Sequence, residues 1–373
     1  MFRTILHKFS NLFQVYKYLL FGVFCYIYVF MIANREKMAQ QSVSFPIDIV
    51  YLWADGSDKN FNSIKNKYLK SMKKDTHKYV DDIKDQLFRD NDELKYSLRS
   101  IEQNAPWINH IYIVTGFNQV PTWLDIKHPK ITMVPQESIL PSDAGPVFNS
   151  CAIEACVANI PNLSEHFLIA NDDMFFNMPV LPEYFFDEQG RTKFRCIYRK
   201  NGHFLRDKKS IYLLQLINSA NAIEQVFGKR MHQFKSSHGI DSYIKSSMKE
   251  CCENDGLSKY INNTKYHTFR DETDVHRLIF NLYDVINNRS NMIISHSKHI
   301  GHNIALDFLY NLLYSKSIKN SVFYCHDAIE SKVLSCKAPI VCINDSVYNN
   351  DITREHNKLF FETKFPNKSE FEK

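Results

Sequence analysis

The chain has 373 residues, of which 44% are apolar and 23% charged, with a net charge of +5; these are ordinary values for a folded globular protein with ample length for a core. No basic run or RNA-binding signature accompanies the mild positive charge, so nucleic acid is excluded as a partner and anionic small molecules or membrane surfaces are left. The nine cysteines are odd in number and show no zinc-type spacing, so they read as mostly buried free thiols, with room for a disulfide at Cys251-Cys252 or among Cys325, Cys336 and Cys342.

In chain order, residues 1–33 come first. Tyr18 to Ala33 is an uncharged apolar run flanked by Arg3, Lys8 and Lys17 before it and Arg35 and Lys37 after it. It falls just short of the ~17–25 residues of a spanning helix and lacks a small-residue cleavage site. The expectation is therefore a membrane anchor, spanning or lying flat, rather than a removable signal. Residues 34–46 are polar and read as a linker, and residues 47–373 as the catalytic domain.

Ile47 to Trp53 reads as a strand that ends in the turn Ala54-Asp55-Gly56-Ser57-Asp58. Residues 59–86 are lysine-rich and read as a helix and a loop. Asp90 with Glu93 forms a variant capping box, and Leu94, Leu98 and Ile101 share one face of the helix that follows. Strands are expected at His110–Thr115 and Ile131–Val134, then a helix from about Ser150 to Ile160. A last apolar strand, Phe167-Leu168-Ile169-Ala170, stops at Asn171-Asp172-Asp173. This alternation argues for an α/β fold with a mostly parallel, Rossmann-like sheet. Beyond residue 200 the pattern becomes helical, with one face at Val275, Leu278, Ile279 and Leu282 and another helix over Ala305 to Tyr314.

Four clusters carry groups able to handle a metal and a phosphate. They are Asp55 with Asp58; Arg89-Asp90-Asn91-Asp92-Glu93; Asn171-Asp172-Asp173; and Asn344-Asp345 after the apolar Cys342-Ile343. Hard oxygen ligands at the carboxyl ends of strands suit Mg²⁺ or Mn²⁺ carrying phosphate. Each cluster also has a plain reading as a turn or a helix cap. His296, His299 and His302 look like a metal stripe, but three-residue steps drift around a helix by about 60° each and Gly301 argues for a loop, so no metal role is assigned to them.

The segments IDIVYLWADGSD (47–58), RDNDELKYSLRSIEQNAPWINHIYIVT (89–115), PTWLD (121–125), FNSCAIEA (148–155), IPNLSEHFLIANDDMFF (160–176), CINDS (342–346) and KFPNKSEFEK (364–373) occur in this order. Together they closely resemble the signatures of the Stealth family, which includes bacterial capsular polysaccharide phosphotransferases and the catalytic subunit of the lysosomal-enzyme N-acetylglucosamine-1-phosphotransferase. The third signature is less faithful. Met231-His232-Gln233-Phe234 has Phe234 where proline is usual, and His238 is a rival for the histidine. Phe269-Arg270-Asp271-Glu272-Thr273-Asp274 supplies the arginine.

The resemblance implies a GT-A-like sheet with a helical carboxyl-terminal portion and a sugar-1-phosphate transferase acting on a UDP-sugar, with UMP released. Asp172, Asp173 and Asp345 would hold a divalent cation, Mg²⁺ with Mn²⁺ as the alternative. Asn171 and Asn344 would meet the sugar phosphate, and Arg89 and Arg270 would clamp phosphate oxygens. Asp55, Asp58, Asp90, Asn91, Asp92 and Glu93 would bind substrate, and His232 would take the acceptor's proton. Expected partners are the UDP-sugar, a glycan acceptor, the membrane through the amino-terminal segment and other polysaccharide-assembly proteins. The Asn-, Lys- and Phe-rich composition and the lack of long insertions favour the cytoplasmic side of a bacterial inner membrane, with a Golgi membrane as the alternative.

Overall fold

Ile47–Leu52 (β1) is rich in β-branched and aromatic residues and buried along nearly its whole length, as a strand covered on both faces must be. It forms the middle of a five-stranded sheet, seen here in a computed structural model that describes residues 43–71, 88–198, 210–294, 322–345 and 349–373. Ile111–Thr115 (β2) and Ile131–Pro135 (β3) lie on one side of β1, and His166–Asn171 (β4) lies on the other. These four pair in parallel, and Asp241–Ile244 at the far edge is antiparallel to β4. The sheet is thus mostly parallel. Its switch of strand order beside β1 opens a crevice at the carboxyl ends of β1 and β4, where this class of sheet binds ligands. Register puts Leu52 opposite Asn171, so the turn after β1 and the Asp172-Asp173 pair leave the sheet side by side.

The other strands form two smaller sheets. Met174–Phe176 (β5) pairs antiparallel with Ile340–Ile343, which in turn runs parallel to Val322–Cys325. Thr192–Tyr198 (β6) lies between Phe234–Ser236 (β7) and Ser290–Ile294. In chain order the edge strand Asp241–Ile244 is β8, Ser290–Ile294 is β9, Val322–Cys325 is β10 and Ile340–Ile343 is β11. Beyond residue 200 the described residues therefore hold helices interleaved with five short strands, which the helical periodicity there did not separate. The helices among the described residues are α1 (Lys59–Ser71), α2 (Glu93–Asn104), α3 (Ser150–Glu154), α4 (Ile211–Phe227), α5 (Lys245–Glu253), α6 (Ser258–Lys265), α7 (Leu278–Ile286) and α8 (Asp351–Lys364).

The helix expected from Ser150 to Ile160 is cut short at Glu154 and followed by a 3₁₀ turn, Val157–Asn159. Ile160 precedes Pro161, which disfavours helical backbone at that position, and its ψ of 123° takes it out of the helix. Asp90 and Glu93 form no capping box. Asp92 stands at the cap of α2 in the left-handed region (φ 67°) without a side-chain capping bond, while Glu93 turns back to Asn91. Helix α2 also does the work of a neighbouring strand for β5: Ser97 Oγ donates to the Met174 carbonyl at 2.6 Å, Ser100 Oγ accepts from the Phe176 N–H at 3.0 Å, and Asn104 donates to the Phe176 carbonyl. The free edge of a short strand is thereby satisfied by polar side chains on one helix face.

One core layer joins β4 to α4 and α7, with Phe167, Ile169, Ile223, Ile279 and Leu282 fully buried; each such side chain stabilises the fold by about 1.5–3 kcal/mol. A second cluster gathers Tyr96, Phe175, Phe360, Phe361 and Phe365 under α8. Phe45–Lys373 forms one compact unit. Phe45, placed in the linker by sequence, stacks on His166 with ring centres 3.7 Å apart. The expected anchor at Tyr18–Ala33, the Ala305–Tyr314 helix and His296, His299 and His302 lie outside the described residues. Among the described residues, no helix is long and apolar enough to cross a membrane. All eight described cysteines are free, so the disulfides allowed for above do not form.

Candidate active site

Antiparallel pairing sets the centre of the site. Because β11 runs against β5 with Cys342 opposite Met174, the residues after β11 return to those before β5. The Ile343 N–H donates to the Asp173 carbonyl at 2.9 Å. Asn344 Nδ2 donates to Asp173 Oδ2 at 3.0 Å, and Cys342 Sγ lies 3.4 Å from the same oxygen. Arg89 Nη1 closes the group from the other side through Asp345 Oδ2 at 3.0 Å, where Asn91 Nδ2 also donates at 3.3 Å.

Of this group, Arg89, Asp173, Asn344 and Asp345 line a cavity of about 690 Å³ at the carboxyl edge of the sheet. Of the residues singled out by sequence, Arg89, Glu93, Asn171, Asp172, Asp173, Arg270, Asn344 and Asp345 all line it. Arg270 enters beside α3, with Nη2 donating to Ser150 Oγ at 2.9 Å. The remaining candidates stand elsewhere. Asp58 caps α1 by accepting from the Phe61 N–H at 2.7 Å, and Asp55 Oδ1 accepts from the Ser57 N–H within its own turn. Asp92 faces Lys95, with the ammonium 2.9 Å from its carboxylate. Asn91 and Asp90 back the site without lining it: Asn91 holds Glu93 and Asp345, and Asp90 Oδ1 accepts from the Asp92 N–H.

His232 is not in the cavity wall. It lies against α4, with Nε2 2.6 Å from Asn221 Oδ1 and Nδ1 3.3 Å from the Glu224 carboxylate. His238 is in the wall, on the turn between β7 and β8, in left-handed backbone with φ 59°. Its Nδ1 lies 3.2 Å from the Tyr212 hydroxyl, and its Nε2 finds no hydrogen-bond partner among the described residues. Burial, with Arg277, Lys235 and Arg270 nearby, pushes it down to about 3, so the ring is neutral near pH 7.

Carboxylates crowd the site around Asp172. Burial, then Asp173, Glu93 and Asp90, holds Asp172 well above the usual carboxylate range. Burial also raises Asp173, against the opposing pull of Asn344, Cys342 and Arg277. Glu93 is raised to about 7 by burial, and Asp90 to about 6 by burial and Asp92. Such a group cannot ionise fully without a cation. Asp173 Oδ1 and Asp345 Oδ1 are buried and find no hydrogen-bond partner among the described residues; two orphaned carboxylate oxygens suit a hard divalent ion. Among the described residues, no three His, Cys, Asp or Glu side chains are gathered closely enough to hold an ion by themselves. Mg²⁺ does not demand that, since it is held by one or two carboxylates together with substrate phosphates.

Sequence reading missed Arg277 and Glu154. Arg277 is wholly buried at the start of α7, with Nη1 2.8 Å from Glu154 Oε1 and 3.2 Å from Asn171 Oδ1. The signal was an arginine set among the apolar residues Val275, Leu278 and Ile279. Asp274 went unassigned as well. Buried, it accepts from Asn149 Nδ2 at 2.8 Å and from the Asp271 N–H at 2.9 Å, and so ties the Arg270 segment to the start of α3.

Residues 87–194 match the model of Stealth protein CR2, conserved region 2. The chain is 44% identical over 149 residues to the exopolysaccharide phosphotransferase cps2G of Lactiplantibacillus plantarum, covering 40% of this chain and 42% of that protein. It is 32% identical over 202 residues to the capsular polysaccharide phosphotransferase fcs1 of Haemophilus influenzae, covering 53% and 54%. To the receptor polysaccharide phosphotransferase WefC of Streptococcus oralis it is 41% identical over 149 residues, covering 40% and 43%. The chain thus spans about half the length of these relatives. Among solved structures, the galactosyltransferase LgtC in complex with donor and acceptor sugar analogues is similar at a TM-score of 0.40 and 11% identity, covering 86% of this chain and 96% of that one. Residues 87–194 thus carry a conserved region of the Stealth family.

Proposed function

We propose that the chain transfers a sugar-1-phosphate, a hexosamine-1-phosphate by preference, from a UDP-sugar to a hydroxyl of a growing polysaccharide, releasing UMP. The observation that carries this reading is the meeting of Arg89, Arg270, Asn171, Asp172, Asp173, Asn344 and Asp345 in one cavity, in a chain whose relatives are named phosphotransferases. Phosphoryl transfer asks little covalent chemistry of a protein and much positioning and charge stabilisation. Arg270 pairs with no carboxylate among the described residues, which leaves its fork for phosphate oxygens. Arg89 is spoken for by Asp345 and is half-exposed; it holds Asp345 in place and meets the diphosphate from the solvent side.

His238, rather than His232, is the group in position to take the acceptor's proton, because its unpartnered Nε2 belongs to the cavity wall. Burial is the first cause of its low basicity, and the neighbouring cations add to it; a diphosphate bound beside Arg270 and Lys235 would offset their share and raise the ring's basicity. The acceptor oxygen then forms its bond to phosphorus as the bond from phosphorus to the UMP oxygen breaks; the proton passes to His238, and the anomeric bond of the sugar stays intact. Asp172, Asp173 and Asp345 would hold Mg²⁺, or Mn²⁺, and the ion would neutralise the diphosphate and the charge on the leaving nucleotide.

We place the enzyme at the cytoplasmic face of a bacterial inner membrane, on the apolar Tyr18–Ala33 run, a placement that membrane fractionation tests. Incubation with a UDP-sugar and acceptor, followed by chromatography of the nucleotide, tests the reaction. UMP together with a phosphodiester signal in the phosphorus NMR spectrum is expected. Release of UDP overturns the reading in favour of ordinary glycosyl transfer.

A further inference from the structure

We infer that Arg277 is a positioning residue that fixes the Asn171 side-chain amide with its N–H groups facing the cavity, making Asn171 a neutral hydrogen-bond donor to the diphosphate of the donor substrate. The inference rests on the phosphoryl-transfer reading above and adds to it a donor among the carboxylates.

The orientation follows from chemistry alone. A guanidinium carries only donors, so the atom of Asn171 that meets Arg277 Nη1 at 3.2 Å is its oxygen. Nδ2 is then the free end, and it has no hydrogen bond among the described residues, in a side chain that lines the cavity. Arg277 itself cannot turn away. It is buried, Glu154 Oε1 holds the same Nη1 at 2.8 Å, and the Asp241 carboxylate stands 3.7 Å from Nε. Glu154 and Asp241 are buried too, at 4% and 5% exposure, so the guanidinium is locked between fixed anions. Asn171 ends β4, one residue before Asp172. A donor here places two N–H groups where every neighbouring carboxylate would repel a phosphate oxygen.

The test measures binding of UDP and of inorganic pyrophosphate by calorimetry, both at saturating Mg²⁺ so that an added carboxylate changes no metal occupancy. Asn171→Ala should weaken both about tenfold, the effect of one hydrogen bond to a charged group. Asn171→Asp should weaken them further while leaving thermal stability equal or higher, because the new carboxylate pairs with Arg277 yet offers the phosphate an anion. A merely structural Asn171 predicts the opposite, near-normal binding in Asn171→Asp.

Arg277→Lys keeps the charge, but a single ammonium cannot grip Glu154 and Asn171 as the planar fork does. In that background Asn171→Ala should add less than about threefold, the mark of two residues acting as one unit. Full tenfold effects of both changes in the double variant, or wild-type binding by Asn171→Asp, overturn the inference. Should Arg277→Lys fail to fold, the comparison of Asn171→Asp with Asn171→Ala decides alone, since neither removes the buried ion pair. Pyrophosphate binding that depends on Asn171, with no binding of UDP, supports the inference and refutes the nucleotide-sugar reading. UDP binding indifferent to Asn171 does the reverse, and a wild-type protein that binds neither ligand refutes both.

Discussion

Replacing Glu93 by glutamine removes one charge from the acidic wall and leaves its shape. In the folded protein burial holds this carboxyl near 7, against an ordinary value of 4.5. Between those two values the folded chain keeps a proton that the unfolded chain has already released. Stability from this group is therefore full below about pH 4.5 and lost as pH rises through about 7; the difference corresponds to about 3 kcal/mol. Asp90, Asp172 and Asp173 are raised in the same sense and add to the slope. Glutamine does not titrate, but it puts an N–H where one Glu93 oxygen accepts from Asn91, at a pH-independent cost of about 1–3 kcal/mol. In urea unfolding with chelator present, the variant should be the less stable protein near pH 4.5, and the gap should close or reverse by pH 8. Parallel stability curves for the two proteins over that range would refute the argument.

Addition of Mg²⁺ should raise the melting temperature more at pH 8 than at pH 5, because only the ionised wall has charge to neutralise; scanning calorimetry at the two pH values checks this, and Asp173→Asn should abolish the difference. His238→Gln should lower turnover by at least about 100-fold, the contribution of a general base, while UDP binding stays within about threefold; kinetics and calorimetry on the same preparation separate the two. Asn149→Ala removes both the α3 cap, in which its side chain accepts from the Cys151 N–H, and a bond to buried Asp274, and should cost about 2–3 kcal/mol by urea unfolding.

The parallel sheet was legible in the sequence because each of its central strands is a run of β-branched and aromatic residues bounded by a turn, as in Ile47–Leu52 and Ile111–Thr115. The clusters at Arg89, Asn171 and Asn344 were legible as chemistry, while their meeting in space was implied by the family resemblance alone and by no local pattern. It depends on β5 and β11, strands of three and four residues, too short to show a period, whose partners lie far off in the chain. The two histidines show what spacing cannot decide. His232 and His238 are six positions apart, and only the left-handed backbone before Gly239 turns the second one into the cavity. Gly239 itself presses on Val322, where an added Cβ would come within 2.9 Å of the side chain. Arg277 stayed hidden for a different reason: its value lies in being buried with Glu154, a pairing of residues 123 positions apart that no local pattern announces.

Arg89 and Asp345 grip one another across 256 positions of sequence. During synthesis the parallel sheet is complete as far as β4 well before the segment bearing Asp345 leaves the ribosome. Until that segment docks along β5, the acidic wall has neither Asn344 nor the Arg89–Asp345 closure, and Asp173 has no partner for either oxygen outside its own neighbourhood. A nascent or partly opened chain thus holds a parallel sheet with an unfinished candidate site, so a segment made long after the sheet is the one that completes it.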